Sequence, residues 1–367
     1  MESVAPRQMR STLMLLVVAS TVPVRATDVA DGAAHFVAHN HSLDARVGLR
    51  WLAQQSPRYP FWMAVPYKSR AAWQAWQPNE MIWERGKFHD EKEARLARAI
   101  FYAHCPTRPQ RLVVDVGSNT GFFALLAAAS GCRSVAFEGA PLIADVLKIS
   151  RDVNGFRDRF TIINRIVSHE RQVGWNGWNA VAASDVKQFE ASAISKSKPN
   201  AKRDGSPMKM VDAGGAVAIS DVVSSDVLYL KMDVEGHEPS AYESARRVLD
   251  AHTVFYLLFE VTYYAAPQFT HDSYRPMLTD LLRRGYRLYH LQAMEPDQFP
   301  RRGAITSAGC SRKSSGEKQT ATCKAELDAW LDIRMKKCKA SIHKVHAISC
   351  QLDIFATHPV AKWPVGG

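Results

Sequence analysis

Two short segments that are far apart along the chain constrain its fold more than any other feature of the sequence. The first is VVDVGSNTG at 113–121, and the second is LYLKMDVEGHE at 228–238. In each, a run of apolar and β-branched residues ends in a carboxylate and glycine. This pattern is typical of a buried parallel strand that leads into a functional loop. The chain is therefore expected to be an α/β protein with ligand-binding loops at the carboxyl ends of two strands.

The first segment is typical of a nucleoside-binding unit. Residues 112–116 are predicted as a strand and 122–129 as a helix, with Gly117 and Gly121 flanking the turn between them. The D-x-G-x-x-x-G pattern lacks the third glycine of the dinucleotide motif, whose helix N-terminus holds a pyrophosphate. A sulfonium cofactor has no phosphate and is positively charged, so the acidic Asp115 suits it. The pattern favours S-adenosylmethionine over NAD, although a D-x-G sequence alone can be only a turn after a strand.

A second acid supports this cofactor. Glu138 ends the next predicted strand, about 20 residues after the glycines, where an acid accepts hydrogen bonds from ribose hydroxyls. The predicted cofactor-binding residues are Asp115, Gly117, Ser118, Asn119, Gly121 and Glu138.

Four stretches of sequence carry a resemblance to a known family. They are VVDVGSNTGFFALLAAASGCRSVAFE, LKISRDVNG, LYLKMDVEGHEPSAYESARRVL and FYLLFEV. Together they resemble the FkbM-type methyltransferases, from residue 88 to 291 and again at 352–356. The resemblance implies a class I methyltransferase fold, S-adenosylmethionine as cofactor, and O-methylation, mostly of sugars and natural products. Gly139 and Ala140 depart from the family, which usually has Pro-Asn or Pro-Ser there, next to the expected adenosine edge.

The order of the predicted elements gives the fold class. Apolar strands alternate with helical patterns, which predicts right-handed βαβ units and a parallel sheet. Strands are predicted at 112–116, 134–138, 160–167, 227–232, 254–261, 286–291 and 352–356, and helices at 90–101, 122–129 and 272–284. We expect a Rossmann-like α/β fold with helices on both faces of a seven-stranded, mostly parallel sheet. That the last strand is antiparallel is implied by the resemblance.

The second segment is the expected catalytic site. Asp233, Glu235 and His237 follow the fourth predicted strand. Methyl transfer to a hydroxyl needs an aligned oxygen and usually a base that takes its proton. We predict Asp233 near the methionine end of the cofactor or the acceptor, with Glu235 or His237 as the base. A divalent cation held by clustered carboxylates is an alternative, and Glu235 could instead cap a helix near Pro239. Glu260, expected to end the fifth strand, is a further acid without an assigned role.

The first 26 residues are typical of a secretory signal peptide. Arg7 and Arg10 precede an apolar run at 13–24, and Ala26 ends a small-x-small cleavage site. The run is shorter than the ~20 residues of a membrane span, and an uncleaved signal anchor is the alternative. We expect the protein in the lumen of the secretory pathway or outside the cell.

The rest of the chain is predicted to have four parts. They are an aromatic-rich cover at 27–100, the methyltransferase core at 101–291, a basic insertion at 292–348, and the last strand and tail at 349–367. The insertion leaves the sheet at its ligand-binding edge and is expected to form a lid. Aromatic residues of the cover suit sugar stacking, but packing is the more common role.

Cysteine usage agrees with secretion. The chain has six cysteines, an even number that suits an oxidising compartment. Cys105 and Cys132 are interpreted as buried apolar residues. Disulfides are predicted among the four cysteines of the C-terminal quarter, in any of three pairings; these are Cys310, Cys323, Cys338 and Cys350.

The net charge of the chain bears on which partner or acceptor it binds. The formal net charge is +11, and basic residues concentrate at 195–209 and 292–348. Motifs of nucleic-acid binding are lacking, so we expect no nucleic acid partner and a small-molecule or glycan acceptor instead. A basic rim that attracts an anionic acceptor is one interpretation, and solvated loops are the other.

Two other function classes stay open. One is a binding protein that keeps the fold without turnover, against which the intact Asp115 and Asp233 argue. The other is a nucleoside-dependent enzyme that is not a methyltransferase, such as an NAD oxidoreductase, against which the missing third glycine argues.

Overall fold

The computed structural model describes the chain in segments. These are residues 24–30, 33–38, 46–53, 55–67, 88, 90–169, 180–181, 210–211, 215–234, 237–264, 271–291, 327 and 349–362. Glu235, the first 23 residues and nearly all of the predicted insertion lie outside the described residues. In the part that is described, no helix has both the length and the apolar character needed to cross a membrane.

The described elements follow one another as strands and helices. The strands are β1 Val24–Ala30, β2 Ala33–Ala38, β3 Arg46–Trp51, β4 Trp62–Tyr67, β5 Leu112–Val116, β6 Arg133–Phe137, β7 Phe160–Ile163, β8 Ile166–Val167, β9 Ala180–Val181, β10 Met210–Val211, β11 Ala216–Val217, β12 Val227–Met232, β13 Val254–Tyr264, β14 Arg287–His290 and β15 Ser349–Thr357. The helices are α1 Glu91–His104, α2 Phe122–Ala129, α3 Pro141–Val153, α4 Ile219–Val222, α5 Glu238–Ser244, α6 Arg246–Ala251 and α7 His271–Arg283.

Seven strands form the central sheet. Their order is β14-β15-β13-β12-β5-β6-β7. Neighbours from β13 to β7 pair in parallel, whereas β15 runs antiparallel to both β13 and β14. This topology is a Rossmann-like class I methyltransferase fold, as predicted, and the antiparallel last strand is confirmed. Parallel strands expose their carboxyl ends on one edge, and β5 and β12 are direct neighbours there.

Three predicted strands differ from those observed by more than one residue at an end. Strand β15 spans Ser349–Thr357, whereas 352–356 was predicted. The strand expected at 160–167 is two strands, β7 and β8, because β8 leaves the central sheet and pairs in parallel with β11. Strand β13 continues to Tyr264, because β15 pairs with it along most of its length. Glu260 therefore lies within this strand and does not end it.

The sheet is covered by helices on both faces. Along β12, Leu230 and Met232 join the apolar core shared with α5, α6 and α7. Tyr229 points to the opposite face and joins the core shared with α1 and α2. This alternation follows from the two-residue period of a strand, and it puts Lys231 on the α1 and α2 face, where its Nζ lies 5.0 Å from the centre of the Phe123 ring.

The N-terminal cover contains an antiparallel sheet of four strands, β1 to β4. Its edge strand β4 docks on α3 through side chains that bind its backbone. The Trp62 N–H donates to Asn154 Oδ1 at 2.8 Å, Asn154 Nδ2 donates back to the Trp62 carbonyl at 2.7 Å, and the Ala64 N–H donates to Ser150 Oγ at 2.9 Å. Strand β1 begins at Val24, so the cleavage expected after Ala26 falls inside this strand.

A disulfide joins Cys105 to Cys132, with their Cα atoms 4.8 Å apart. The burial suggested for these residues from sequence is confirmed, whereas their pairing with each other was not predicted. Both are fully buried, but the turns after α1 and α2 meet, which brings the two sulfurs together. Three of the four cysteines predicted to pair in the C-terminal quarter lie outside the described residues.

Candidate functional site

The glycine loop after β5 is held against the end of β6. The N–H groups of Gly117 and Ser118 both donate to the Phe137 carbonyl at 3.0 Å. Gly117 and Gly121 have φ of +72° and +86°, a conformation that favours glycine. Asn119 also has a positive φ, of 50°. Four residues predicted to bind the cofactor thus form one tight loop at the carboxyl edge of the sheet.

Glu138 closes this loop from the neighbouring strand. Its carboxylate accepts hydrogen bonds from the Asn119 N–H at 2.9 Å and the Ala140 N–H at 2.8 Å. Burial raises the pKa of Glu138 to about 7, although the two N–H donors act in the opposite direction. Asn164 Nδ2 donates to the Glu138 carbonyl at 2.7 Å. The structure therefore brings Glu138 to the glycine loop, as predicted, while the supporting role of Asn164 was not predicted.

Asp115 lies deeper than the rest of the predicted cofactor set. It is fully buried, and its Oδ2 accepts a hydrogen bond from the Ala124 N–H in the first turn of α2 at 3.2 Å. Burial raises its pKa to about 6, against the opposing charge of Lys231. Among the described residues, Asp115 Oδ1 and the buried Ser118 Oγ have no hydrogen-bond partner. Buried polar atoms normally find one, so these two atoms favour a polar ligand at the loop.

The loop after β12, which holds the predicted catalytic residues, is in contact with the glycine loop. The Asp233 N–H donates to the Val116 carbonyl at 3.0 Å. A β-carbon added to Gly117 would lie 1.8 Å from the Asp233 carbonyl oxygen. The Asp233 side chain is 40% exposed. The predicted catalytic acid is therefore accessible and directly beside the predicted cofactor loop.

Asp233 is paired with a lysine that was not predicted. Lys231 Nζ donates to Asp233 Oδ2 at 2.8 Å, and the lysine side chain is only 6% exposed. Burial lowers the pKa of Lys231, but the charges of Asp233, Glu93 and Asp115 outweigh burial and the net pKa is raised. A charged residue within the apolar strand LYLKM is the signal that could have identified Lys231 from sequence.

Glu93 and Asp353 form a second acidic pair on the same side of the sheet. Each of these two carboxyl groups influences the pKa of the other. Burial and the neighbouring Asp353 raise the pKa of Glu93 well above its usual value. Burial, with the charges of Asp90 and Asp233, raises the pKa of Asp353 to about 7. Both shifts have the sign expected when two carboxyl groups disfavour each other's ionisation.

Glu238 stabilises the loop after β12 through a hydrogen bond to its backbone. It is fully buried and accepts hydrogen bonds from the Val234 N–H at 2.9 Å and the Tyr274 hydroxyl at 2.7 Å. Burial raises its pKa to about 7. His237 precedes the first turn of α5, and its N–H donates to the Val234 carbonyl at 3.3 Å. Glu235, a predicted catalytic residue, lies outside the described residues.

Three carboxylates of this region are close enough to share a cation. One oxygen from each of Asp233, Glu238 and Glu260 lies within 4.8 Å of the others. Carboxylate oxygens are suitable ligands for Mg²⁺ or Ca²⁺. However, Asp233 is already paired with Lys231, and both Glu238 oxygens accept hydrogen bonds. We therefore assign no metal to this cluster.

Known proteins that resemble this chain are found among solved structures. No family model and no curated protein matches the chain. Among solved structures, StiE O-MT residues 961–1257 has 9% identity over 77% of this chain and 82% of that chain, with a TM-score of 0.36. An S-adenosylmethionine-dependent methyltransferase from Geobacter sulfurreducens in complex with S-adenosyl-L-homocysteine has 14% identity over 74% and 91% of the two chains, with a TM-score of 0.32.

An rRNA methylase from Streptococcus thermophilus is similar at 8% identity over 72% of this chain and 94% of that chain, with a TM-score of 0.35. At these values, the matches carry no argument about the activity, substrate or family of this chain.

Proposed function

We propose that the protein is an S-adenosylmethionine-dependent methyltransferase that methylates a hydroxyl on a carbohydrate or a related acceptor of the secretory pathway. One observation carries the proposal. The glycine loop, closed by Glu138, lies in direct contact with the loop that presents the half-exposed Asp233. The proposed nucleoside site and the candidate base therefore share one edge of the sheet.

The residues present fit this cofactor. Glu138 lies where it can accept hydrogen bonds from ribose hydroxyls, and the unpartnered Ser118 Oγ and Asp115 Oδ1 offer polar contacts at the same loop. The acidic surroundings suit a positively charged ligand. When bound, S-adenosylmethionine supplies a methyl group carried by a positively charged sulfonium sulfur. Loss of this methyl group leaves the sulfur as a neutral thioether.

Asp233 is proposed as the residue that takes the proton of the acceptor. Its Oδ2 is held by Lys231, which leaves Oδ1 for the acceptor hydroxyl. As the acceptor oxygen forms its bond to the methyl carbon, its proton passes to Asp233 Oδ1, so that the product is an ether. Because the side chain is 40% exposed, the proton can then return to water. Glu235 or His237 is proposed to assist.

The acceptor class and the compartment are narrower proposals. A carbohydrate is favoured by the resemblance to the FkbM-type family. The disulfide between Cys105 and Cys132 supports an oxidising compartment, which agrees with the signal-peptide pattern. An anionic acceptor is proposed because the stretches at 195–209 and 292–348 are basic.

The test combines binding with an acceptor screen. Purified protein is incubated with methyl-labelled S-adenosylmethionine and a panel of methyl glycosides, uronic acid glycosides, lipids and small alcohols, with and without EDTA. We expect label on a hydroxyl and formation of S-adenosylhomocysteine. For an anionic acceptor, the apparent affinity falls as salt rises, since exposed charges are screened beyond ~10 Å at 0.1 M. Tight binding of NAD without binding of S-adenosylhomocysteine would overturn the proposal.

A further inference from the structure

We propose that Lys231 is a positioning residue, which holds the Asp233 carboxylate in the direction that proton transfer from the acceptor requires. The inference rests on the proposed function and deepens it, because it concerns how the candidate base is fixed in place.

The position of Lys231 is unusual for a lysine. It lies on β12, which is flanked by parallel strands on both sides, and its side chain is 6% exposed. A lysine is seldom buried to this extent unless its charge is paired. Its ammonium lies near the Phe123 ring of α2, so the stem is packed and the ammonium has little freedom to move.

The ammonium has three acids around it, and it bonds to the accessible one. Asp115 is its register partner on β5, and the charge of Glu93, a buried residue of α1, helps to raise the lysine pKa. Asp115 accepts a hydrogen bond from the Ala124 N–H. Lys231 Nζ donates instead to Asp233 Oδ2 at 2.8 Å. A fixed cation therefore holds one oxygen of a carboxylate whose side chain is 40% exposed.

A second ion pair in the chain shows why burial matters. Lys148 Nζ also lies 2.8 Å from an aspartate oxygen, of Asp145, but these side chains are 46% and 36% exposed. Exposed pairs of this kind hold their partners weakly, because both side chains are mobile and solvated. Lys148 is thus a matched control for Lys231, because the distance from Nζ to the aspartate oxygen is the same and only the burial differs.

The kinetic test is a double-mutant cycle. Turnover is measured with the methyl glycoside that the wild type methylates best, for Lys231→Met, Asp233→Asn, the double variant and the control Lys148→Met. We expect Lys231→Met to lower kcat by on the order of 10- to 1,000-fold, which is less than the roughly 10²–10⁴-fold loss of a proton acceptor itself, because Asp233 is still present. KM and the affinity for S-adenosylhomocysteine should change less than about threefold, because ground-state binding is kept.

The cycle separates positioning from a general structural role. If Lys231 acts through Asp233, the double variant is no slower than Asp233→Asn alone, because residues that act as a unit are not additive. Fully additive losses would overturn the inference. Lys148→Met should stay within about twofold of the wild type.

Two further variants allow the inference to be tested if Lys231→Met does not fold. Lys231→Arg keeps the charge, and Lys231→Met with Glu93→Gln removes one buried acid together with the buried cation. We expect Lys231→Arg to keep more turnover than either variant without the charge; equal loss in all three would contradict positioning by charge.

A structural measurement needs no acceptor. Crystal structures of the wild type and of the folded Lys231 variants with S-adenosylhomocysteine show the Asp233 carboxylate directly. We expect it to turn from its wild-type direction when the ammonium is absent, and an unchanged carboxylate would overturn the inference. If the wild type binds S-adenosylhomocysteine but methylates no probe, the proposed acceptor class fails, and this measurement still decides the role of Lys231.

Discussion

Gly117 and Asp233 touch through their backbones: a β-carbon on residue 117 would lie 1.8 Å from the Asp233 carbonyl oxygen. The glycine loop and the loop after β12, proposed to bind the cofactor and to carry the base, are therefore packed as one unit. Since Gly117 also has a φ of +72°, replacing it changes both the local backbone and the contact between the loops.

Gly117→Ala is expected to destabilise the protein and to weaken binding of S-adenosylhomocysteine. The positive φ accounts for roughly 1–2 kcal/mol, and the clash with a backbone atom adds about 1–3 kcal/mol. Gly155→Ala is the matched control, because Gly155 has a φ of +68° and nothing within 4 Å of the added carbon. Urea unfolding and calorimetry of both variants measure the difference, and equal effects would show that the contact with Asp233 is unimportant.

Glu138→Ala should weaken cofactor binding by roughly 10- to 100-fold, since a hydrogen bond to a charged group contributes about 1.5–3 kcal/mol. The pKa of Glu138 is raised to about 7 by burial, and the ionised form is the better acceptor. Affinity should therefore rise with pH up to about 7 and level off above it. Calorimetry from acid to mildly alkaline pH tests this, and Glu138→Gln should lose the pH dependence. The same pH dependence in Glu138→Gln would assign it to another group.

Asp233→Asn should lower turnover by about 10²–10⁴-fold, as expected when a general base is removed. Binding of S-adenosylhomocysteine should survive, because the amide keeps the shape of the loop. Asp226→Asn is the control at the opposite end of the same strand, where Asp226 Oδ1 accepts a hydrogen bond from the Thr253 N–H. That variant should keep its turnover. Full activity of Asp233→Asn would remove the proposed mechanism.

Asp353→Asn should become more stable relative to the wild type as pH rises. The pKa of Asp353 is raised from 3.8 to about 7, so the folded state binds more protons than the unfolded state within this window. The contribution of this carboxyl to stability is complete below about pH 4 and is lost as pH rises through about 7. The difference in unfolding free energy should change by up to about 1.4 kcal/mol per pH unit, measured by urea unfolding. A difference that is flat between pH 4 and 7 would contradict the raised pKa.

Protein from its native cell should contain the disulfide between Cys105 and Cys132, which closes a loop of 27 residues. Mass spectrometry should also find cleavage after Ala26 and disulfides among Cys310, Cys323, Cys338 and Cys350. Replacing both Cys105 and Cys132 with serine should cost about 3–4 kcal/mol of stability on the chain-entropy estimate. An intact Met1 would argue against the signal peptide, and free thiols would argue against an oxidising compartment.

Local patterns in the sequence predicted the strands and loops of the core well. Strands β5 and β12 and helix α2 have the predicted bounds, because a strand buried on both faces needs a continuous apolar run. The prediction at 160–167 was less accurate, because the apolar pattern continues past Ile163 while the pairing partner changes from β6 to β11. Hydrophobic pattern identifies a strand but does not specify its partner.

The sequence by itself determined the two functional loops and the fold class, since strand, glycine turn and acid are neighbours along the chain. Only the tertiary structure decided which distant groups meet: Gly117 with Asp233, Glu93 with Asp353, and Cys105 with Cys132. It also decided that Lys231 and Asp115 are buried, with their pKa values shifted in the way that burial and neighbouring charges require. Such contacts depend on strand register and helix packing, which bring together residues far apart in sequence, and local residue patterns do not encode them.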